Sequence, residues 1–454
     1  MIQSISPTDG RLLASYEETP PDEVRSHIET AAALQREWAQ VPIAERSAPM
    51  EKLAGLLEGY REELAELMAD EMGKPLAQGR GEVDKCAWVC RHYAENSERI
   101  LADEQISADR TRSYLAYRPL GVVLAVMPWN FPVWQVFRFL APALMAGNGG
   151  LLKHASNVTG SALWIDRLAV EAGFPDGLFR TLVLPSGRVD EVLEHPEVVA
   201  ATLTGSDPAG RAVAAKAGSL LKKTVLELGG SDPYIVLADA DLAAAAETCA
   251  ASRLINAGQS CICAKRFIVE ESVVEEFTGL LDEALGKAVM GDPHDPATTL
   301  GPMARIDLRD DLHDQVVRSI DAGATLVRGG EVPEGNGAFY PATLLANVAE
   351  GMAVYHEETF GPVAAVITAA DLDDAVRIAN DTEFGLGAAI FTSDLELGEE
   401  VARDRIQAGA CFVNAFVASD PRLPFGGIKM SGYGRELSDL GMREFLNAKT
   451  VVVA

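Results

Sequence analysis

The sequence predicts an α/β protein built from two doubly wound units in succession. Three observations carry that expectation. The chain is 454 residues long, more than one hydrophobic core usually serves. From residue 120 onward, short apolar runs alternate with amphipathic helical stretches, the rhythm of parallel strands joined by helical crossovers. The rhythm runs through two successive series, with no internal repeat and no low-complexity linker.

Taken in order, the first hundred residues read as helices. Thr19 and two prolines open a helix over 22–40, and the apolar periodicity of 43–74 ends at Gly73 and Pro75. Cys86-x3-Cys90 also lies on a helical pattern. Residues 105–121 (QISADRTRSYLAYRPLG) then alternate polar and apolar, as does the tail 446–454 (LNAKTVVVA). Both read as edge strands able to join a partner subunit. The first α/β series has strands at 120–126, 149–153, 179–184, 198–204 and 223–228, with helices near 133–146, 160–172, 188–195 and 208–221. The second has strands near 264–270, 324–328, 363–368, 386–391 and 410–413, with helices near 272–288, 305–322, 371–380 and 394–407.

Composition excludes several classes of function. Lys and Arg total 39 against 67 Asp and Glu, a net charge of −28, which opposes binding to nucleic acid or an anionic membrane through general electrostatics. Apolar tracts such as 119–134 (PLGVVLAVMPWNFPVW) are broken by prolines and too short for a span, and the start MIQSISPTDG lacks the regions of a signal peptide. A cytoplasmic location is the expectation. Six cysteines (86, 90, 249, 261, 263 and 411) in so long a chain do not form a disulfide framework. They show no paired spacing typical of zinc, the seven histidines are scattered, and no metal is expected.

Chemistry is expected where a doubly wound sheet binds ligands, outside the carboxyl ends of its strands. Those ends supply Lys153, the turn Gly205-Ser206 with Gly210, and Glu227. The glycine turn opens a helix whose N–H groups and dipole suit a pyrophosphate, although a tight strand-to-helix turn alone would also call for glycine. Lys153 and Glu227 taken singly read as a solvated lysine and an ion-pair or capping carboxylate. The stretch 255–267 (INAGQSCICAKRF) adds two cysteines, Cys261 and Cys263, either of which could be a nucleophile or a small buried side chain.

Six motifs together resemble the aldehyde dehydrogenase superfamily over essentially the whole chain: PWNFP at 128–132, TGS at 204–206 with Gly210, ELGGSDP at 227–233, GQSC at 258–261, EETFGP at 357–362 and PFGGIKMSGYGRE at 424–436. Through KHASN (153–157), ELGGSDPYIVL (227–237) and GPMAR (301–305) the chain is most similar to the NADP-dependent succinate-semialdehyde dehydrogenases. The resemblance implies two Rossmann-type domains plus a small β oligomerisation element. Residues 1–101 with 120–227 would bind cofactor, 228–442 would be catalytic, and 102–119 with 443–454 would join subunits into a homodimer or homotetramer.

It also implies roles. Oxidising an aldehyde by hydride loss needs a tetrahedral adduct, and the family's thiol nucleophile corresponds to Cys261. The Asn130 amide and the Cys261 N–H would hold the adduct's oxyanion, one such donor being worth roughly 3–4 kcal/mol. Glu227 would be the general base for thioester hydrolysis. Trp129, Lys153, Ser156, Gly205, Ser206, Gly210, Glu358 and Phe360 would bind the cofactor. Ser156 stands where NAD-preferring relatives often carry glutamate, which favours NADP, with NAD as the alternative. Arg138, Trp134 and Ser419 would bind the substrate, with Arg138 on its distal carboxylate, and Cys263 would be a redox partner of Cys261. The competing readings are a dehydrogenase for general aliphatic, amino or other ω-carboxy aldehydes, a thiol esterase, and a non-catalytic binding protein of the same fold.

Overall fold

The computed structural model of the protein describes all 454 residues. Five parallel strands form the first large sheet, in the spatial order Lys223–Glu227, Val198–Thr204, Val122–Met127, Gly149–His154 and Phe179–Thr181. The chain runs outward from Val122–Met127 on one side, then returns to Val198–Thr204 on the other. The strand order therefore reverses between these two neighbours, and a crevice opens beyond their carboxyl ends. Into it lead Pro128-Trp129-Asn130 from one strand and Gly205-Ser206 from the other.

Crossover helices follow the predicted pattern closely. Trp134–Met145 is buried along its whole length, as expected of a helix apolar all round. Thr159–Ala172 and Asp207–Ser219 cover the sheet. The second large sheet has the order Thr325–Arg328, Thr343–Ala346, Val363–Ala369, Ala264–Glu270, Asp232–Val236, Gly387–Phe391 and Ala410–Val413, parallel except for its first pair. Gly432–Tyr433 leaves this second series and pairs antiparallel with Leu226 and Glu227 at the edge of the first sheet. That return brings the 424–436 motif beside Glu227. A third sheet pairs Leu446–Val453 with Arg112–Pro119 along their full lengths, and Arg112–Pro119 with Glu104–Gln105. No helix is long and apolar enough to cross a membrane.

Several local expectations change. The first hundred residues are not all helical: Ile2–Ile5 and Leu12–Tyr16 form a hairpin. Its turn contains Asp9-Gly10 with Gly10 at φ 78°, a turn signal that the short flanking strands make easy to overlook. The expected helix 43–74 is two, Ile43–Gly59 and Arg61–Met72, parted at Tyr60 next to a helix-weakening glycine. Gly73 does terminate it, in the left-handed conformation. The strand expected at 179–184 is only Phe179–Thr181. The helix expected at 394–407 is Leu395–Glu400 followed by a wider π turn, Val401–Arg405. Sequence reading also passes over the strands Asp232–Val236 and Thr343–Ala346 and the helix Leu242–Leu254. Both strands are fully or largely buried, so neither shows the apolar–polar alternation of a half-exposed strand.

Candidate active site

Cys261 borders a cavity of about 310 Å³. The backbone that brings it there is unusual. Asn256, Ala257 and Gly258 all have positive φ, at 53°, 53° and 73°. A Cβ on Gly258 would overlap the carbonyl of Gly361, so glycine is required both by conformation and by the contact between the GQSC and EETFGP loops. Lys265 fastens the same junction. Its ammonium donates to the carbonyls of Ser260 (3.0 Å) and Cys261 (2.7 Å) and lies 3.4 Å from Glu358 Oε1.

Cys261 keeps part of its surface open, yet its thiol sits deep enough that burial pushes its pKa up to about 12, against the opposing charges of Arg138 and Lys265. Cys263 is buried instead. Its S–H faces the carbonyls of Ser260 (2.9 Å) and Gly258 (3.3 Å), and Arg253 donates to its sulfur at 3.0 Å. It fits a small polar niche in the core, the plainer of the two sequence readings.

Asn130 is buried, and its amide donates to the carbonyl of Gln259 at 3.1 Å, two residues before Cys261. Its own carbonyl accepts from Lys74 (3.0 Å) and from the Asn256 amide (2.7 Å). Lys74 forms a fully buried ion pair with Glu82, whose other oxygen accepts the N–H groups of Val133 (2.8 Å) and Trp134 (2.9 Å). One buried pair from the helical N-terminal region thus fixes both the turn bearing Asn130 and the first turn of the next helix.

Glu227 ends its strand with both carboxyl oxygens buried and without hydrogen-bond partners. Burial raises its pKa well above the usual carboxylate range, with Arg138 opposing and Glu436 adding to the rise. A Cβ on Gly426 would lie 2.7 Å from Glu227 Oε1, so the glycine makes room for the carboxyl. A carboxyl kept protonated by burial and lacking a fixed partner is free to turn and exchange a proton.

Arg138, expected on the distal carboxylate of the substrate, also has partners within the protein. It lines the cavity, but its guanidinium is ion-paired with Glu436, donates to Thr204 Oγ1 at 3.2 Å and lies 4.5 Å from the centre of the Phe425 ring. Glu436 thus gives it a counter-charge within the protein. Glu436 belongs to the returning 424–436 segment, so only the tertiary fold brings it there.

In the crevice of the first sheet, Lys153 is buried at its strand's end with no carboxylate partner, and burial lowers its pKa. Ser156 begins a short 3-10 turn, Ser156–Val158. Ser206 precedes the helix Asp207–Ser219, and Gly205 N–H donates to the Glu227 carbonyl at 3.0 Å. The two glycines differ in kind. Gly210 is a packing residue, since a Cβ there would lie 2.6 Å from Leu228 Cδ2. A Cβ on Gly205 would meet nothing nearer than Leu203 at 3.7 Å, so the protein leaves open the space a phosphate needs at a helix N terminus. Glu358 accepts from Gly230 N–H at 3.0 Å, and Trp129 meets Phe360 edge-on with ring centres 5.7 Å apart.

Comparison with known proteins decides the family. The profile of the Aldehyde dehydrogenase family matches residues 1–451. The chain belongs to that family. This aldehyde dehydrogenase is 48% identical over 453 residues to a probable NADP(+) succinate-semialdehyde dehydrogenase of Synechocystis sp., with both chains fully covered. It is also 48% identical over 460 residues to the NADP(+) succinate-semialdehyde dehydrogenase of Mycobacterium avium, covering 99% of this chain and 96% of the other. Among solved structures it resembles the succinic semialdehyde dehydrogenase of Streptococcus pyogenes in complex with NADP+, with a TM-score of 0.98, 38% identity and full coverage of both chains.

Of the predicted residues, the dehydrogenase brings Cys261, Trp134, Arg138 and Ser419 to one cavity. Asn130 reaches the nucleophile loop through Gln259, and Glu227 is not among the residues that line the cavity. Sequence reading missed Lys74, Glu82 and Lys85, all from the N-terminal helical region, as well as Glu436. A signal existed for one of them: Glu82 interrupts the buried stripe Val83, Cys86, Ala87, Cys90, and a carboxylate beside such a stripe implies a buried partner.

Proposed function

We propose that this aldehyde dehydrogenase oxidises succinate semialdehyde to succinate, with NADP as the preferred cofactor and NAD as the alternative. The observation that carries the reading is the cavity. Its walls are mainly apolar, Cys261 borders it, and its two basic lining residues are Arg138, which is paired with Glu436, and Lys85, which has no carboxylate partner. That combination suits a short aldehyde carrying a carboxylate. The names of the two relatives that match end to end support the same substrate.

The chemistry follows from this chain's residues. The Cys261 thiol gives up its proton to solvent water in the cavity, and the sulfur attacks the aldehyde carbon, moving the carbonyl electron pair onto oxygen. The Cys261 N–H and the Asn130 amide, once turned from Gln259, are the donors for that oxyanion. Bound NADP supplies the acceptor for the hydride lost as the adduct reverts to a carbonyl, which leaves a thioester on Cys261. Glu227, protonated at rest by burial, first releases its proton to solvent and then, as the carboxylate, takes a proton from water as the water's oxygen bonds the thioester carbon. The C–S bond then breaks, and the electron pair returns to the Cys261 sulfur. Lys153, Ser156, Ser206 and the helix it precedes are the residues for the adenosine phosphates. Glu358, Phe360 and Trp129 are those for the nicotinamide side. The absence of a carboxylate at 156 supports NADP over NAD.

The division into a cofactor-binding unit (1–101 and 120–227), a catalytic unit (228–442) and a subunit-joining element (102–119 and 443–454) belongs to the same reading. A broad aliphatic aldehyde activity is the second reading, favoured by the apolar walls. The test is the rate of NADPH or NADH formation with succinate semialdehyde and with butyraldehyde. A kcat/KM at least tenfold higher for the semialdehyde, and higher with NADP than NAD, is expected. Equal values for the two aldehydes overturn the substrate assignment.

A further inference from the structure

We propose that Lys85, together with Ser419, receives the distal carboxylate of the substrate whose aldehyde carbon is held on Cys261. This rests on the reading of an ω-carboxy aldehyde substrate, and it adds Lys85 to the residues that sequence resemblance implies for that end of the substrate.

The argument is one of charge matching around a single cavity. Two basic side chains line it. Arg138 already has Glu436. Glu82, the acidic side chain on the wall, is taken by Lys74 and by two backbone N–H groups. Lys265, behind the nucleophile, has Glu358. Lys85 has no carboxylate partner. It projects from the helix Leu76–Ile100, with its ammonium 2.7 Å from Ser419 Oγ and 4.6 Å from the centre of the Trp134 ring.

That arrangement is a built anion site with one element missing. Ser419 Oγ accepts from the lysine, so its own hydrogen is free to be donated. The ammonium has two further hydrogens. The Trp134 ring faces the ammonium and favours its charged form. Phe131, Trp134, Val417 and Phe425 supply an apolar lining for methylenes between the two reactive ends. Burial without a counter-ion lowers the Lys85 pKa to about 8, with Arg138 adding to the fall and Cys86, Asp420 and Glu82 opposing it. A carboxylate arriving from solution supplies the missing negative charge and raises that pKa again.

The sign of the pH effect follows. Lys85 is charged below about pH 8 and neutral above it, so the affinity for a carboxylate is high below and lost above. An uncharged aldehyde has no such dependence. The experiment compares the unmodified enzyme, Lys85→Met and Lys85→Arg on succinate semialdehyde and butyraldehyde with NADP from pH 6.5 to 9.5. Losing a buried charge partner for the ligand corresponds to roughly 30-fold or more in kcat/KM. Lys85→Met should raise KM for succinate semialdehyde by about that factor, with kcat within about threefold and butyraldehyde turnover within about threefold. Lys85→Arg should recover most of the affinity and remove the rise of KM above pH 8. Butyraldehyde turnover also reports whether the variant is folded. If Lys85→Met does not fold, the pH profile of the unmodified enzyme decides: a KM for the semialdehyde that is flat across pH 8 overturns the proposal. A Lys85→Met enzyme that keeps the parent's preference for the semialdehyde overturns it too, while leaving the substrate assignment standing. An unmodified enzyme with no preference removes both.

Discussion

Gly258 shows how much of the site depends on single atoms. With φ at 73° and the Gly361 carbonyl where a Cβ would sit, Gly258→Ala combines left-handed strain with overlap against backbone. A loss of roughly 3 kcal/mol or more is expected, read as a fall in thermal midpoint; an unchanged midpoint would show that the two loops yield easily. Cys261 offers a titration. Its thiol is pushed up to about 12, so the reactive thiolate grows with pH throughout the accessible range. Alkylation of the cofactor-free enzyme by iodoacetamide should therefore accelerate steadily from pH 7 to 9.5, and a plateau near pH 8 would contradict the buried, protonated thiol. Cys261→Ala should abolish oxidation, while Glu227→Gln should release one burst of reduced cofactor and then stall; normal steady-state turnover in the latter would remove Glu227 as the base. Arg138→Ala leaves Glu436 buried without its cation, which costs about 3–5 kcal/mol. It should lower the thermal midpoint and slow both aldehydes alike, whereas a selective loss with succinate semialdehyde would return the carboxylate to Arg138. Cys263 is proposed as a redox partner of Cys261 only if its sulfur leaves the Ser260 and Gly258 carbonyls. Cys263→Ala should then lose dithiothreitol-reversible inactivation by peroxide, and unchanged reversibility leaves it a packing residue.

Among elements, the helix Leu76–Ile100 does more than cover the sheet. Through Glu82 it binds the first N–H groups of the helix Trp134–Met145, whose own N-cap residue Val133 offers no side-chain acceptor. Through Lys74, just ahead of that helix, the same pair holds the carbonyl of Asn130. Glu82→Gln should destabilise the protein by about 3–5 kcal/mol, because an uncompensated ammonium remains in a dry site. Lys74→Met with Glu82→Leu should restore much of the thermal midpoint but not kcat, since the turn bearing Asn130 loses its anchor. Full recovery of kcat in the double variant would show that the pair serves stability alone.

For the whole molecule, the third sheet is the element proposed to join subunits. Leu446–Val453 pairs on one side only, with Arg112–Pro119, so its outer backbone edge is open. Val452 and Val453 are 53% and 39% exposed there. An edge strand with exposed valines is poorly protected against further pairing. Sedimentation velocity should find a dimer or tetramer, and Val452→Lys with Val453→Lys should shift it to smaller species. An oligomer of unchanged mass would place the interface elsewhere.

By itself the sequence determined the two series of strands and helices, because an apolar run or a 3.6-residue period is a local property that burial in a sheet or on its face requires. It also determined which cysteine follows Gly-Gln-Ser and which carboxylate ends a strand, and Cys261, Trp134, Arg138 and Ser419 do line one cavity. It was silent on the hairpin at Ile2–Tyr16 and on Asp232–Val236, where the strands are short or buried without alternation. Only the tertiary structure decided which charges cancel. Arg138 and Glu436 meet because Gly432–Tyr433 crosses back to the first sheet, and Lys85 meets Ser419 because a helix from the first hundred residues packs against a loop near the end of the chain. Ion pairing depends on distances of a few ångströms between segments hundreds of residues apart, and no periodicity or motif records them.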